Sequence, residues 1–259
     1  MPPLQKEVLE KGFMPKAIVI GASSGIGRAL AKKLAAEGYE LGVTARRVEM
    51  LDSLQTEIGK KIEIRHMDLL QPKAAIVILE QLIRDLGALD LIIINSGVNH
   101  YSVQMEWPED YQTATVNVTG FLAMANVAAR YFKARKQGHL VGISSIAGTR
   151  GSGRAPVYCA TKSFVSTYLE GLRHILAPLG IHITDIRPGL IDTEMMKKSN
   201  LKRGMVSAEV AADGIFTAII HKKRVAYVPG WWVWIAALVW LVPDFVFSRL
   251  IRKSIKGKK

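Results

Sequence analysis

A single cysteine, Cys159, in a chain of 259 residues excludes an intrachain disulfide framework and a cysteine-rich zinc site, and it fits a reducing compartment. No secretory leader is expected either. Residues 1–13 are mixed and charged, with no apolar core running into a small-residue cleavage site, so a cytoplasmic location is expected. The six histidines, His66, His100, His139, His174, His182 and His221, lack metal-ligand spacing, and no metal is expected. There is no repeat at a solenoid period. The formal net charge of +13 comes without an aromatic-basic recognition motif, so no nucleic-acid partner is expected. Long apolar runs are scarce too. The longest, residues 231–242, spans about 18 Å as a helix, against roughly 30 Å of bilayer hydrocarbon.

What is present is 49% hydrophobic residues, enough for a substantial core. Short apolar runs at 17–20, 41–44, 62–66, 91–94, 140–143, 181–186 and 225–228 have strand length. Between them, 28–37, 49–58, 74–86, 114–132, 164–176 and 208–220 read as helices. Strands that are apolar without strict alternation are buried on both faces, as in a parallel sheet covered by helices. The expectation is a doubly wound α/β domain of about seven strands over residues 1–228, its core starting near residue 14, followed by a tail at 229–259.

The first strand runs into Gly21-Ala22-Ser23-Ser24-Gly25-Ile26-Gly27, which opens a helix. Glycines there permit a tight turn and close approach to a pyrophosphate, and the helix N-terminus offers N–H groups and a positive dipole end. Farther on, Tyr158 and Lys162 stand four apart. On a helix they share a face, and a lysine ammonium there favours the phenolate of a tyrosine whose ordinary pKa is near 10. Ser145 lies thirteen residues before Tyr158, in the Ser144-Ser145 pair that follows the fifth strand. Ser144, one residue earlier, should point to the opposite side.

From about residue 16 to 193, these motifs resemble the short-chain dehydrogenase/reductase family. The resemblance implies a Rossmann-like fold and a nicotinamide cofactor. It assigns Ser145 to bind the substrate oxygen, Tyr158 to act as general acid or base, and Lys162 to lower the tyrosine pKa and hold the nicotinamide ribose. Asn117 would orient a water in a proton relay. Asp68 and Leu69 would meet the adenine, Asn95, Ser96 and Gly97 the adenosine side, and Pro188, Gly189 and Thr193 the nicotinamide carboxamide. Two positions depart from the family pattern: Ile20 stands for a threonine and Ile94 for an asparagine. Family members commonly form homodimers or homotetramers.

The second strand ends in Val43-Thr44-Ala45-Arg46-Arg47 with no carboxylate. An acid there would accept the ribose hydroxyls of NAD, whereas arginine attracts a 2′-phosphate. NADP(H) is therefore favoured over NAD(H), with Arg46 the first candidate and Arg47 the second.

In the family's substrate-covering segment, Met195 and Met196 suit an irregular apolar substrate, and Lys197, Lys198, Lys202 and Arg203 follow. The tail joins a tryptophan-rich apolar piece, 231–242, to a basic amphipathic piece, 245–259, where six cations stand without an acid. It suits peripheral attachment at a membrane face; a homo-oligomer interface and a cover over the chain's own pocket are the alternatives. The expected activity is NADP(H)-dependent hydride transfer to or from a carbonyl or secondary alcohol of an apolar, lipid-like substrate. The alternative is a non-catalytic cofactor-binding scaffold on the same fold.

Overall fold

The computed structural model describes residues 14–100, 105–197 and 204–256. At its centre is β1 (Lys16–Ile20), whose side chains alternate between two cores. Ala17 and Val19 enter one, Ile18 and Ile20 the other, all essentially without exposure. That double burial explains a strand with no polar face. Around it lie β2 (Glu40–Ala45), β3 (Glu63–His66), β4 (Leu91–Ile94), β5 (Gly138–Ile143), β6 (Ile181–Pro188) and β7 (Val225–Val228). All pairings are parallel, in the order β3-β2-β1-β4-β5-β6-β7. The chain reverses its direction of winding between β1 and β4, and such a switch point opens a crevice beyond the strands' carboxyl ends.

On one face of the sheet, α1 (Gly25–Ala36), α2 (Val48–Ile58) and α8 (Ala208–Ile220) bury Leu30, Leu34, Leu51, Leu54 and Ile215. On the other, α3 (Pro72–Leu86), α5 (Phe121–Arg135) and α6 (Pro156–Leu176) bury Leu79, Leu82, Phe132, Val165 and Leu169. Each helix has an apolar stripe matched to its sheet face, and the two cores meet only through β1 and its neighbours. The fold is the expected Rossmann-like α/β sheet of seven strands.

Several boundaries differ from expectation. The helix expected at 114–132 begins earlier, as α4 (Trp107–Ala114), with Pro108 in its first turn and Glu109 and Asp110 beside the positive dipole end. It passes through a π-helical turn, Thr115–Gly120, before α5. Helix α6 begins at Pro156 rather than 164, because a proline at a helix start surrenders an N–H that had no partner there anyway. A short α7 (Glu194–Lys197) follows β6. The tail forms α9 (Trp232–Leu241), stopped before Pro243, and α10 (Asp244–Lys256). Lys198, Lys202, Arg203 and residues 257–259, named above for the lid and tail, lie outside the described residues.

Candidate active site

A cleft of about 420 Å³ crosses the carboxyl ends of β1, β2, β4, β5 and β6. Its first wall is the loop from β1 to α1, where Gly21, Ser23, Ser24, Gly25 and Ile26 line the cavity. Gly27 stands behind them, and close approach demands glycine there: a β-carbon would lie 2.1 Å from the Gly21 carbonyl oxygen and 2.5 Å from Asn95 Nδ2. Asn95 Nδ2 donates to that same Gly21 oxygen at 2.8 Å, and the Gly21 N–H donates to the Thr44 carbonyl at 2.8 Å. The loop is thus held by β2 and β4 despite Ile20 and Ile94. Ser24 is the N-cap of α1 but makes no side-chain cap bond, and the first turn holds no acid. The helix therefore presents unsatisfied N–H groups to the cleft.

At the next strand end Arg46 and Arg47 both line the cavity, with different commitments. Arg47 donates to Ser24 Oγ at 2.9 Å and pairs with Glu194 at 3.2 Å. Arg46 is exposed and has no hydrogen bond or ion pair among the described residues. Asp68 and Leu69 continue the wall, one Asp68 oxygen accepting from the Leu70 N–H at 3.0 Å.

The other end of the cleft is built from β4, β5, β6 and α6. Asn95, Ser96 and Gly97 line it, as do Ser145, Tyr158, Lys162, Pro188, Gly189 and Thr193. Ser145 caps the 3-10 turn Ile146–Thr149, its Oγ accepting from the Ala147 N–H at 3.1 Å. That bond fixes the oxygen while leaving the hydroxyl proton to donate elsewhere. Ser144 faces away and is buried, with its Oγ 2.5 Å from Asp185 Oδ1.

Helix α6 carries Tyr158 and Lys162 on one face, the lysine Nζ 5.7 Å from the centre of the tyrosine ring. Lys162 is 5% exposed and donates to the Ile143 carbonyl at 2.8 Å. Burial disfavours its charge and brings its pKa down to about 8, against the partial support of the Asp185 carboxylate. Asn117, in the π turn, is also buried. Its Oδ1 accepts from the Val98 N–H, and its Nδ2 donates to the Val98 carbonyl and to Thr161 Oγ1. A β-carbon on Gly97 would lie 3.2 Å from Lys162 Nζ and 3.4 Å from Asn117 Oδ1, so both groups converge on this loop.

Two contributors escaped the sequence reading. Asp185 is a buried acid in the middle of apolar β6, bound by Ser144 and by Arg187 Nε at 2.7 Å; a charge inside a strand run was the available signal. Trp232 of α9 lies against the loop after β6. A β-carbon on Gly189 would fall 2.0 Å from the indole Nε1, so the missing side chain admits the ring. Arg150, after the Ser145 turn, holds the far end of α9 by donating to the carbonyls of Val239 and Val242, and pairs with Asp244 at 3.2 Å. Cys159 is buried on another face of α6, which raises its thiol pKa. His100 bonds Thr113 at 3.0 Å.

Residues 15–204 match the family model for short chain dehydrogenase. The chain belongs to the short-chain dehydrogenase family. As such a dehydrogenase, it is 31% identical over 245 residues to an uncharacterized oxidoreductase of Mycobacterium tuberculosis, covering 90% of this chain and 96% of that one. An uncharacterized oxidoreductase of Myxococcus xanthus is 35% identical over 189 residues, or 71% of this chain and 75% of that protein. Among solved structures, the dehydrogenase superposes on a short-chain dehydrogenase from Sphingobium yanoikuyae in complex with NADPH (TM-score 0.76, 24% identity, 95% and 96% of the two chains). It also superposes on the bulky-bulky ketone specific alcohol dehydrogenase of Comamonas testosteroni (TM-score 0.75, 23% identity, 95% of each). Membership makes the chain an NAD(P)-dependent oxidoreductase of alcohols and carbonyls with a small-molecule substrate.

Proposed function

We propose that this dehydrogenase uses NADP(H) to interconvert a carbonyl and a secondary alcohol on an apolar substrate. The observation that carries the reading is the Tyr158 and Lys162 pair on one face of α6, opening into the cleft that the glycine loop begins. The residues present fit a dinucleotide. Gly27 leaves room that a β-carbon would fill, the start of α1 has unsatisfied N–H groups, and Arg46 has no partner among the described residues. When bound, the cofactor supplies or accepts the hydride at its nicotinamide.

The chain's own groups manage position and protons. Ser145 would donate a hydrogen bond from its free hydroxyl to the substrate oxygen, and Tyr158 would transfer the one proton to that oxygen in reduction, or take it in oxidation. The Lys162 ammonium stabilises the phenolate that remains, and with a pKa of about 8 it can exchange protons near neutrality. Asn117 spends its amide on Val98 and Thr161, so its side chain acts as a positioning group for the loop carrying Gly97. Met195 and Met196 on the cleft wall give an adaptable apolar surface. The Sphingobium relative in complex with NADPH supports the cofactor, and the Comamonas alcohol dehydrogenase specific for bulky-bulky ketones supports a carbonyl and alcohol pair as the substrate.

A screen of NADPH and NADH oxidation against apolar ketones, aldehydes and keto-lipids, run alongside Arg46→Glu, tests it. The wild type should favour NADPH, and the variant should raise its KM about tenfold to a hundredfold, the range for one charge-assisted phosphate contact. A wild-type preference for NADH would contradict the cofactor assignment.

A further inference from the structure

Helix α9 is apolar on every side, yet only one side is used by the body. Trp232 and Ala236 point inward, 9% and 3% exposed. Trp231, Trp234, Leu238, Leu241 and Phe245 form an outward stripe at helical spacing, continuing onto α10, with exposures from 46% to 77%. Such a contiguous aromatic and aliphatic patch marks a contact surface. Among the described residues no helix is long and apolar enough to cross a membrane, and α9 at ten residues measures about 15 Å. It can lie in an interface but not span one.

The sequence beside the patch narrows the partner by charge. Residues 245–259 contain six cations and no acid, and Arg249 is exposed on α10. A second copy of this chain would bring the same positive charge to the same place, whereas a bilayer with anionic headgroups offers the opposite sign and a home for indoles at headgroup depth. We infer that α9 and the start of α10 form an in-plane docking surface for an anionic phospholipid bilayer.

The surface is fastened to the catalytic end of the molecule. Trp232 sits on Gly189, and Arg150 holds the carbonyl end of α9 and lies 4.3 Å from the Phe247 ring centre. A second cavity, of about 380 Å³, lies between α9 and α6 and reaches Ser145. A docked molecule therefore keeps the Gly189 end of its cleft one helix thickness, roughly 10 Å, from the lipid surface, where an apolar substrate concentrates. The docking surface itself does not depend on which carbonyl is reduced.

Flotation of the full chain with phosphatidylcholine vesicles, with and without phosphatidylglycerol, tests the inference without any activity measurement. The wild type should float with the anionic vesicles, be released by high salt, and shift its tryptophan emission to the blue. The triple variant Trp234→Ser, Leu238→Ser and Leu241→Ser should lower the bound fraction about tenfold or more, with an unchanged circular dichroism spectrum because all three side chains face outward. A wild type that stays unbound to anionic vesicles overturns the inference. So does a triple variant that binds as before, or a wild-type dimer that the triple variant splits while neither protein floats.

Discussion

Lys162 gathers more of the site's physics than any other residue. Its ammonium is buried beside the Tyr158 ring, held by the Ile143 carbonyl and faced by the charge of Asp185. Burial is the larger effect, and it brings the pKa down to about 8. In solution an ordinary lysine would hold its proton to about 10.4. Above pH 8 the buried amine empties and the phenolate loses its stabilising cation. The rate of carbonyl reduction per enzyme encounter, kcat/KM, should therefore fall as pH rises through about 8. A profile flat to pH 10 would show that the lysine remains charged in the fold. The sign for stability is opposite: the unfolded chain holds this proton to higher pH, so the lysine's contribution to stability rises between about 8 and its unfolded value.

At the scale of elements, β5 and β6 carry a second buried base whose role is structural. His139 is opposite His182 in the parallel register and lies 2.8 Å from Thr184 Oγ1. The threonine hydroxyl donates to the Lys223 carbonyl at 2.6 Å, so it must accept from the imidazole, whose Nε2 carries a proton. Burial, with the nearby charges of His182 and Lys222, pushes the His139 pKa down to about 3. Because the unfolded chain binds this proton below about 6.5, stability is intact above that pH and declines as pH falls toward 3. Urea unfolding at pH 7.5 and 5.5 should show a loss of about 1 kcal/mol, largely removed in His139→Gln. Equal midpoint and slope at both pH values would contradict the neutral histidine.

In the same elements some features are written in residue type and spacing, and others arise only from contacts between distant segments. The order of strands and helices was legible because each strand is buried on both faces, leaving runs such as Leu91–Ile94 without a polar residue. The glycine loop and the Tyr158 and Lys162 spacing were legible because backbone approach and helical periodicity dictate residue type at fixed intervals. Three things were hidden. Asp185 passed as one more residue of the run at 181–186, since its partner Ser144 reaches it only from the end of the neighbouring strand β5. The destination of the Asn117 amide depends on Val98 and Thr161, distant in sequence. The tail gave no orientation at all, because a helix apolar all round has no preferred face until Gly189 and Arg150 meet it.

For the whole molecule, the excess of positive charge divides by place. Within the body many cations are paired, as in Arg28 with Glu57, Lys33 with Asp213 and Arg65 with Asp85; each exposed pair adds little to stability, but together they moderate the field of the catalytic unit. The tail beyond Asp244 has no acid to offset its six cations. The architecture thus joins a nucleotide-binding sheet to a basic, tryptophan-bearing end through Trp232 and Arg150. In the proposed reaction Tyr158 is the proton donor of a cofactor-dependent carbonyl reduction. The direct measurement is paired: NADPH binding by fluorescence titration, and turnover of the best ketone, for the wild type and Tyr158→Phe. Binding should agree within about twofold, while turnover falls about a hundredfold or more, the scale of a lost general acid. A phenylalanine variant that keeps wild-type turnover would mean that another group supplies the proton.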